Sequence, residues 1–205
     1  MLDRKQHWED VYASKAVHET SWHQAKPAPS LALIRHVAGG RKPSLIDVGG
    51  GASLLVDCLL DEGFPDLTVL DISGRAIEQA RQRLGRRASR VEWVEADITQ
   101  FEPDRTYEIW HDRAAFHFLT EAEDRKNYVD VLLRALAEGG HLIIAAFAPD
   151  GPQKCSGLDI VRYDGQTLKT ELGPRFELDE EHYEVHRTPA GREQRFGFHR
   201  FHKSA

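Results

Sequence analysis

Cysteine is scarce: Cys58 and Cys155 are the only two in 205 residues. Two thiols cannot staple a disulfide scaffold, and Cys58 falls on the apolar stripe of an expected helix, where a reduced, buried thiol is the ordinary outcome. No apolar run approaches the ~20 residues needed to cross a bilayer. The opening Met1-Leu-Asp-Arg-Lys-Gln-His-Trp8 has no apolar centre of a secretory signal, so a cytoplasmic chain with no membrane partner is expected. Positive charge is not in surplus. A formal net charge of −6 and a pI near 6.0 give no overall basic field, which argues against a dedicated nucleic-acid binder. The arginines that do cluster, at 75, 81, 83, 86, 87 and 90, lie on or just after one expected helix and read as a solvated face. Repeats and low-complexity tracts are absent. The eleven histidines lack metal-ligand spacing. His182 and His186 stand four apart in an expected strand, His199 and His202 fall on opposite faces of another, and no metal is expected.

What is present centres on Ser44-Leu-Ile-Asp-Val-Gly-Gly-Gly-Ala-Ser53. Leu45 to Val48 reads as a short buried strand, Gly49, Gly50 and Gly51 as a turn, and Ser53 as the N-cap of a helix that Gly63 stops. Glycines admit positive φ and let a ligand lie against bare peptide, beside the unpaired N–H groups of a helix start. About twenty residues on, Leu67 to Asp71 reads as a second strand with a carboxylate at its C-terminal end, placed to accept hydrogen bonds from ribose hydroxyls. The first acid, Asp47, would repel a pyrophosphate but suits a ligand carrying an ammonium and a sulfonium.

This arrangement resembles the class I, seven-strand methyltransferases that use S-adenosylmethionine (SAM). Asp47, Gly49 and Gly51 match the family's first motif, with Ser53 where a third glycine is usual, and Asp71 matches the second. Asp97, in Val91-Glu-Trp-Val-Glu-Ala-Asp97-Ile98, matches the acid that reaches the adenine amino group. Tyr107 to Asp112 resembles the strand beneath the methionine end of the cofactor. The likeness runs from about Pro43 to Ala148. It implies SAM as cofactor, S-adenosylhomocysteine as product, and a cofactor site made of Asp47, Gly49, Gly50, Gly51, Asp71, Ile72, Asp97, Ile98, His111 and Trp22.

The expected fold is α/β: a three-layer αβα, Rossmann-like, seven-stranded sheet whose last strand is antiparallel, with an N-terminal helical cover. One domain over 1–205 is expected, with the cover at 1–40, the nucleotide core at 41–148, and a C-terminal helix and β-hairpin at 149–205. In the cover, Trp8 and Tyr12 share a helix face and Trp22 sits in a polar loop, and a second helix spans Ser30 to Val37. Further on, Ser73 caps a helix, Thr120 to Glu123 forms a capping box, Gly139-Gly140 ends the helix it opens, and His141 to Phe147 is a central strand. Pro149 to Gly157 reads as a loop, Thr167 to Leu172 as a helix, and 176–187 with 193–202 as a hairpin.

Methyl transfer requires an aligned acceptor, exclusion of water, and deprotonation of an acceptor that is protonated at neutral pH. Asp112 and His117, after the fourth strand, are the candidate catalytic residues, Asp112 as an orienting group and His117 as a base. A histidine between Phe116 and Phe118 also fits plain packing. The loop holding Cys155, with Arg162 and Tyr163 beyond, is a second candidate wall. No Asn/Asp-Pro-Pro-aromatic segment is present, which disfavours methylation of nucleic-acid bases and leaves a small molecule or a protein side chain as acceptor. Two other readings stay open: a nicotinamide-dependent oxidoreductase and a catalytically silent SAM-binding protein.

Overall fold

The computed structural model describes residues 3–204. Helices α1 (Arg4–Ser14) and α2 (Ala28–Ala38) precede β1 (Leu45–Val48), α3 (Leu55–Asp61), β2 (Leu67–Asp71), α4 (Gly74–Leu84) and β3 (Val91–Glu95). Then come β4 (Tyr107–Arg113), α5 (Ala122–Ala135), β5 (Leu136–Phe147), the short β6 (Lys154–Cys155) and β7 (Leu158–Asp159), α6 (Gly165–Leu172), β8 (Phe176–Arg187) and β9 (Glu193–Lys203). Seven strands form one sheet in the order β3-β2-β1-β4-β5-β9-β8. β9 alone runs against its neighbours, pairing antiparallel with both β5 and β8. The expected α/β architecture, with its antiparallel last strand, is therefore present.

Side chains alternate across each strand, so the buried runs feed two cores. Ile46, Val48, Trp110, Leu142 and Ile144 pack with α5 and α6 on one face. Leu45, Val69, Ile109, Ile143 and Ala145 pack with α2 and α3 on the other. Along β1 and β4 the register pairs Asp47 with His111 and Val48 with Asp112. His111 and Asp112 therefore leave their strand on opposite faces.

Several boundaries differ from the sequence reading for local reasons. Ser53 stands one residue outside the helix cap: Leu54 is the N-cap of α3, while the Ser53 hydroxyl accepts from the Leu55 N–H at 3.1 Å. The Thr120–Glu123 capping box does not form. The chain leaves a 3-10 turn at Phe116–Phe118, so α5 starts after Glu121 without a side-chain cap, and Glu123 and Asp124 supply negative charge to its first turn. Gly139-Gly140 does not end α5, which stops at Ala135. The pair lies in β5, where Gly139 takes φ +70° and the register against β4 shifts. The Pro149–Gly157 loop contains β6, which Ser156 and Gly157, both at positive φ, turn back onto β7 just beyond it. α6 begins two residues earlier than expected, capped by Asp164.

The end of β9 also completes α5. Lys203 is 5% exposed, and its ammonium donates to the carbonyls of Leu133 and Leu136 at 2.8 Å each. Those carbonyls sit where a helix runs out of intrahelical donors, and a cation there also suits the helix dipole. Lys203→Met should cost ~1–3 kcal/mol of unfolding free energy by leaving buried carbonyls without a donor. A urea titration with unchanged slope and unchanged midpoint would show that the contact is incidental.

Candidate functional site

Three strand ends and the glycine turn meet at one rim of the sheet. Asp71, at the end of β2, is 6% exposed, and one carboxylate oxygen accepts from the Ser73 N–H at 2.8 Å. Its other oxygen faces the turn: a Cβ on Gly51 would come within 2.5 Å of it, and Gly51 holds φ +38°. Asp47 flanks the same turn from the other side, since a Cβ on Gly50 would stand 2.6 Å from its Oδ2. Gly49, at φ +67°, packs so closely on Ala115 that a Cβ would approach to 2.8 Å. Bare backbone is thus required at all three positions.

A cavity of about 840 Å³, mouth included, opens beside this turn. Asp71, Ile72, Asp97 and Ile98 line one end of it, with Gly49 at its floor. Arg113, Ala114, Phe118, Cys155 and Phe196 line the other. Trp8, Tyr12 and Trp22 also line it, with Trp8 and Tyr12 carried on α1 and Trp22 on the following loop. The three rings stack edge-on or tilted, with centroids 5.6 to 6.4 Å apart. Ion pairs from Arg4 to Asp97 and Asp124, Lys5 to Glu95, and Glu9 to Arg75 tie α1 to the rim. Trp22 is set by the far hairpin, because His186 Nε2 on β8 hydrogen-bonds the Ser21 carbonyl at 2.8 Å.

Asp47 and His111 belong to a smaller adjoining cavity that shares Gly49, Trp22 and Arg113 with the first. His111 Nδ1 lies 2.6 Å from Asp47 Oδ1, and its Nε2 lies 2.8 Å from the hydroxyl of Ser30 on α2. A carboxylate only accepts, so Nδ1–H donates to Asp47, and Nε2 is left to pair with the Ser30 hydroxyl. Asp47 therefore keeps Oδ2 for the turn. Asp97 is more committed, with Oδ1 accepting from the Thr99 N–H and hydroxyl at 2.9 and 2.7 Å.

Neither candidate catalytic residue reaches this space. Asp112 lines neither cavity and is fully buried, accepting from the N–H groups of Ala115 and Phe116 and from the Tyr128 hydroxyl at 2.8 Å. Burial pushes its carboxyl up to about 6 against those donors. It fastens the turn in which Ala114, a residue of the cavity wall, takes φ +68°. His117 is also fully buried, clamped edge-on between Phe118 and Phe147 with neither ring nitrogen partnered. Burial pushes it down to about 3, which leaves it neutral. Parity along the strand explains the exclusion of Asp112: His111 and Arg113 share the cavity face and Asp112 takes the other.

Of the second candidate wall, only Cys155 lines the cavity, and burial raises its thiol to about 11, so it stays protonated. Arg162 instead donates to the Gly151 carbonyl, and Tyr163 packs on Phe116. Arg113, Ser30 and Phe196 carried no signal in the sequence reading. The one available clue was parity with His111, which places Arg113 on the cavity side.

Residues 45–140 match the family described as a methyltransferase domain. That segment holds the glycine turn and all three rim acids. That match makes the segment similar to a methyltransferase domain. Nodulation protein S of Rhizobium tropici is 28% identical over 114 residues, 56% of this chain and 47% of that protein, so the chain spans about half the length of this relative. The eEF1A lysine and N-terminal methyltransferase of Bos taurus is 27% identical over 138 residues, 67% of this chain and 19% of that protein. Among solved structures, the N-methyltransferase NodS of Bradyrhizobium japonicum WM9 in complex with S-adenosyl-l-homocysteine superposes with a TM-score of 0.70. It is 19% identical over 99% of this chain and 100% of that one, a likeness of fold.

At this rim, burial pushes the Asp71 carboxyl up to about 7, partly offset by the Ser73 N–H, with Asp47 adding repulsion. A carboxyl raised above its ordinary value favours the folded state at low pH, and that contribution is lost as pH climbs from about 4 to about 7. Asp71→Asn should therefore raise the melting temperature of the protein without ligand by ~2–4 °C at pH 8 and by less at pH 5. Equal shifts at both pH values would show that the carboxyl is ordinary.

Proposed function

We propose that this chain transfers the methyl group of SAM to a small-molecule or protein acceptor. One observation carries the proposal: Asp47 and Asp71 flank the same side-chain-free turn, at the rim of a covered and largely apolar cavity. Two carboxylates there would repel a pyrophosphate and welcome a cation. Asp71 Oδ2 would accept from the ribose hydroxyls, and Ile72 and Ile98 would form apolar walls for the adenine, with Asp97 at its amino group. Gly49, Gly50 and Gly51 would give backbone contact, and Asp47, braced by His111, would take the ammonium. Trp22 would cover the methionine end together with Trp8 and Tyr12.

When bound, SAM supplies a methyl group already activated by its sulfonium. The protein's task is then to align the acceptor and exclude water. Among the described residues lining the acceptor end, none is a base near pH 7: Cys155 and Arg113 keep their protons. Such a site serves acceptors that present a lone pair without help. Asp112 and His117 are proposed as supports of the wall, not as proton carriers.

A thermal-shift screen with SAM, S-adenosylhomocysteine, NAD and NADP tests the reading. The two adenosyl thio-compounds should stabilise the chain and the nicotinamides should not; stabilisation by NAD alone would replace the methyltransferase with an oxidoreductase. Asp71→Ala should weaken S-adenosylhomocysteine binding by ~1–3 kcal/mol through lost charge-assisted hydrogen bonds, read by calorimetry. Turnover of methyl-labelled SAM separates an enzyme from a silent binder.

A further inference from the structure

We propose that Arg113 anchors a carboxylate of the methyl acceptor, so that the substrate class is a small organic acid with an apolar body. This deepens the reading above and rests on it. Arg113 leaves the end of β4 on the cavity face, and its guanidinium lies over the ring of Phe196, 4.6 Å from the centroid. Phe196 belongs to β9, two strands beyond β4 and away from β1. The guanidinium therefore reaches toward the β5–β9 side of β4. Arg113 also lines the smaller cavity with Asp47, Gly49 and Gly50, so the cation borders the donor's rim on the side of the large cavity walled by Phe196.

The guanidinium is only partly used. Nη1 donates to the Trp22 carbonyl at 3.1 Å, while Nε and Nη2 are sealed from solvent and have no partner. Those two nitrogens form the edge that pairs with both oxygens of a carboxylate. Glu184 and, more weakly, Asp47 act on the group through space, and neither hydrogen-bonds it. Burial lowers it to about 10, so it remains a cation at neutral pH. A buried cation with two free donors is costly unless an anion completes it.

The surroundings select the kind of anion. Phe118, Cys155 and Phe196 wall this end of the cavity, and none offers a second positive charge. A phosphate, with two charges and three oxygens, would be left under-bonded there. A carboxylate needs one fork, and its apolar body would lie along the aromatic walls.

Calorimetric titration of the protein saturated with S-adenosylhomocysteine decides the matter, with 3-phenylpropionate, 3-phenylpropionamide and phenyl phosphate as probes. The carboxylate should bind at least tenfold tighter than the other two. Arg113→Gln should erase that preference and leave S-adenosylhomocysteine affinity within twofold of wild type. Arg113→Lys, which keeps the charge and loses the forked edge, should retain only part of it. Equal binding of acid and amide, no binding of the acid, or a preference for the phosphate would overturn the proposal in the wild-type protein alone. A tenfold loss of S-adenosylhomocysteine affinity in Arg113→Gln would also overturn it, by assigning the guanidinium to the donor's own carboxylate. Failure of wild type to bind S-adenosylhomocysteine would instead sink the methyltransferase reading, and the same three probes titrated without it would still test the carboxylate preference.

Discussion

Two desolvated carboxylates facing one another across a turn without side chains are the constraint around which this rim is built. Like charges at the ends of neighbouring strands repel, and burial strengthens the repulsion by removing water. The fold answers with donors on the far oxygen of each acid: His111 on Asp47 and the Ser73 N–H on Asp71. The near oxygens remain free and converge on the glycines. A cation placed there meets groups that are already oriented, so little reorganisation accompanies binding. The arrangement also explains why Ser30 lies inside an otherwise apolar helix face, since it closes the far side of the His111 ring.

The cover is held by different physics. α1 contributes one buried side chain, Tyr12, and most of its other ties are ion pairs at partly exposed positions. Such pairs each contribute at most ~1 kcal/mol and weaken with salt. The sheet is held by continuous apolar packing on both faces, whereas α1 is held by these screened charges together with the aromatic contacts of Trp8 and Tyr12.

How much of this was legible in the sequence depended on whether a local pattern carried it. Leu45–Val48, Leu67–Asp71 and Val91–Glu95 were readable to the residue, because each is an apolar or alternating run closed by an acid or a turn. The terminal hairpin was readable from two extended runs about a Pro-Ala-Gly turn, while the antiparallel insertion of its last strand into the main sheet came from the family resemblance. The β6–β7 ribbon was not, because two-residue strands have no periodicity to detect. Thr120 and Glu123 have the spacing of a capping box, but the preceding 3-10 turn shifts the helix start past Thr120, a tertiary effect outside the motif. Asp112 and His117 were chosen for their chemistry, while burial decides their place. Arg113 carried no motif of its own in the sequence. Only the register of β4 against β1 shows that it and Asp112 point to opposite sides.

The position of β9 has a consequence for synthesis. It follows every other strand in the chain yet lies inside the sheet, between β5 and β8. While the ribosome adds the residues between Phe147 and Lys203, on the order of several seconds at usual elongation rates, the apolar β5 presents an open edge. The sheet cannot close during that interval, and α5 lacks the lysine that satisfies its final carbonyls. A nascent chain stalled before residue 193 would thus carry an apolar strand unpaired along one edge of its sheet, the kind of surface that chaperones bind and that unprotected chains use to aggregate.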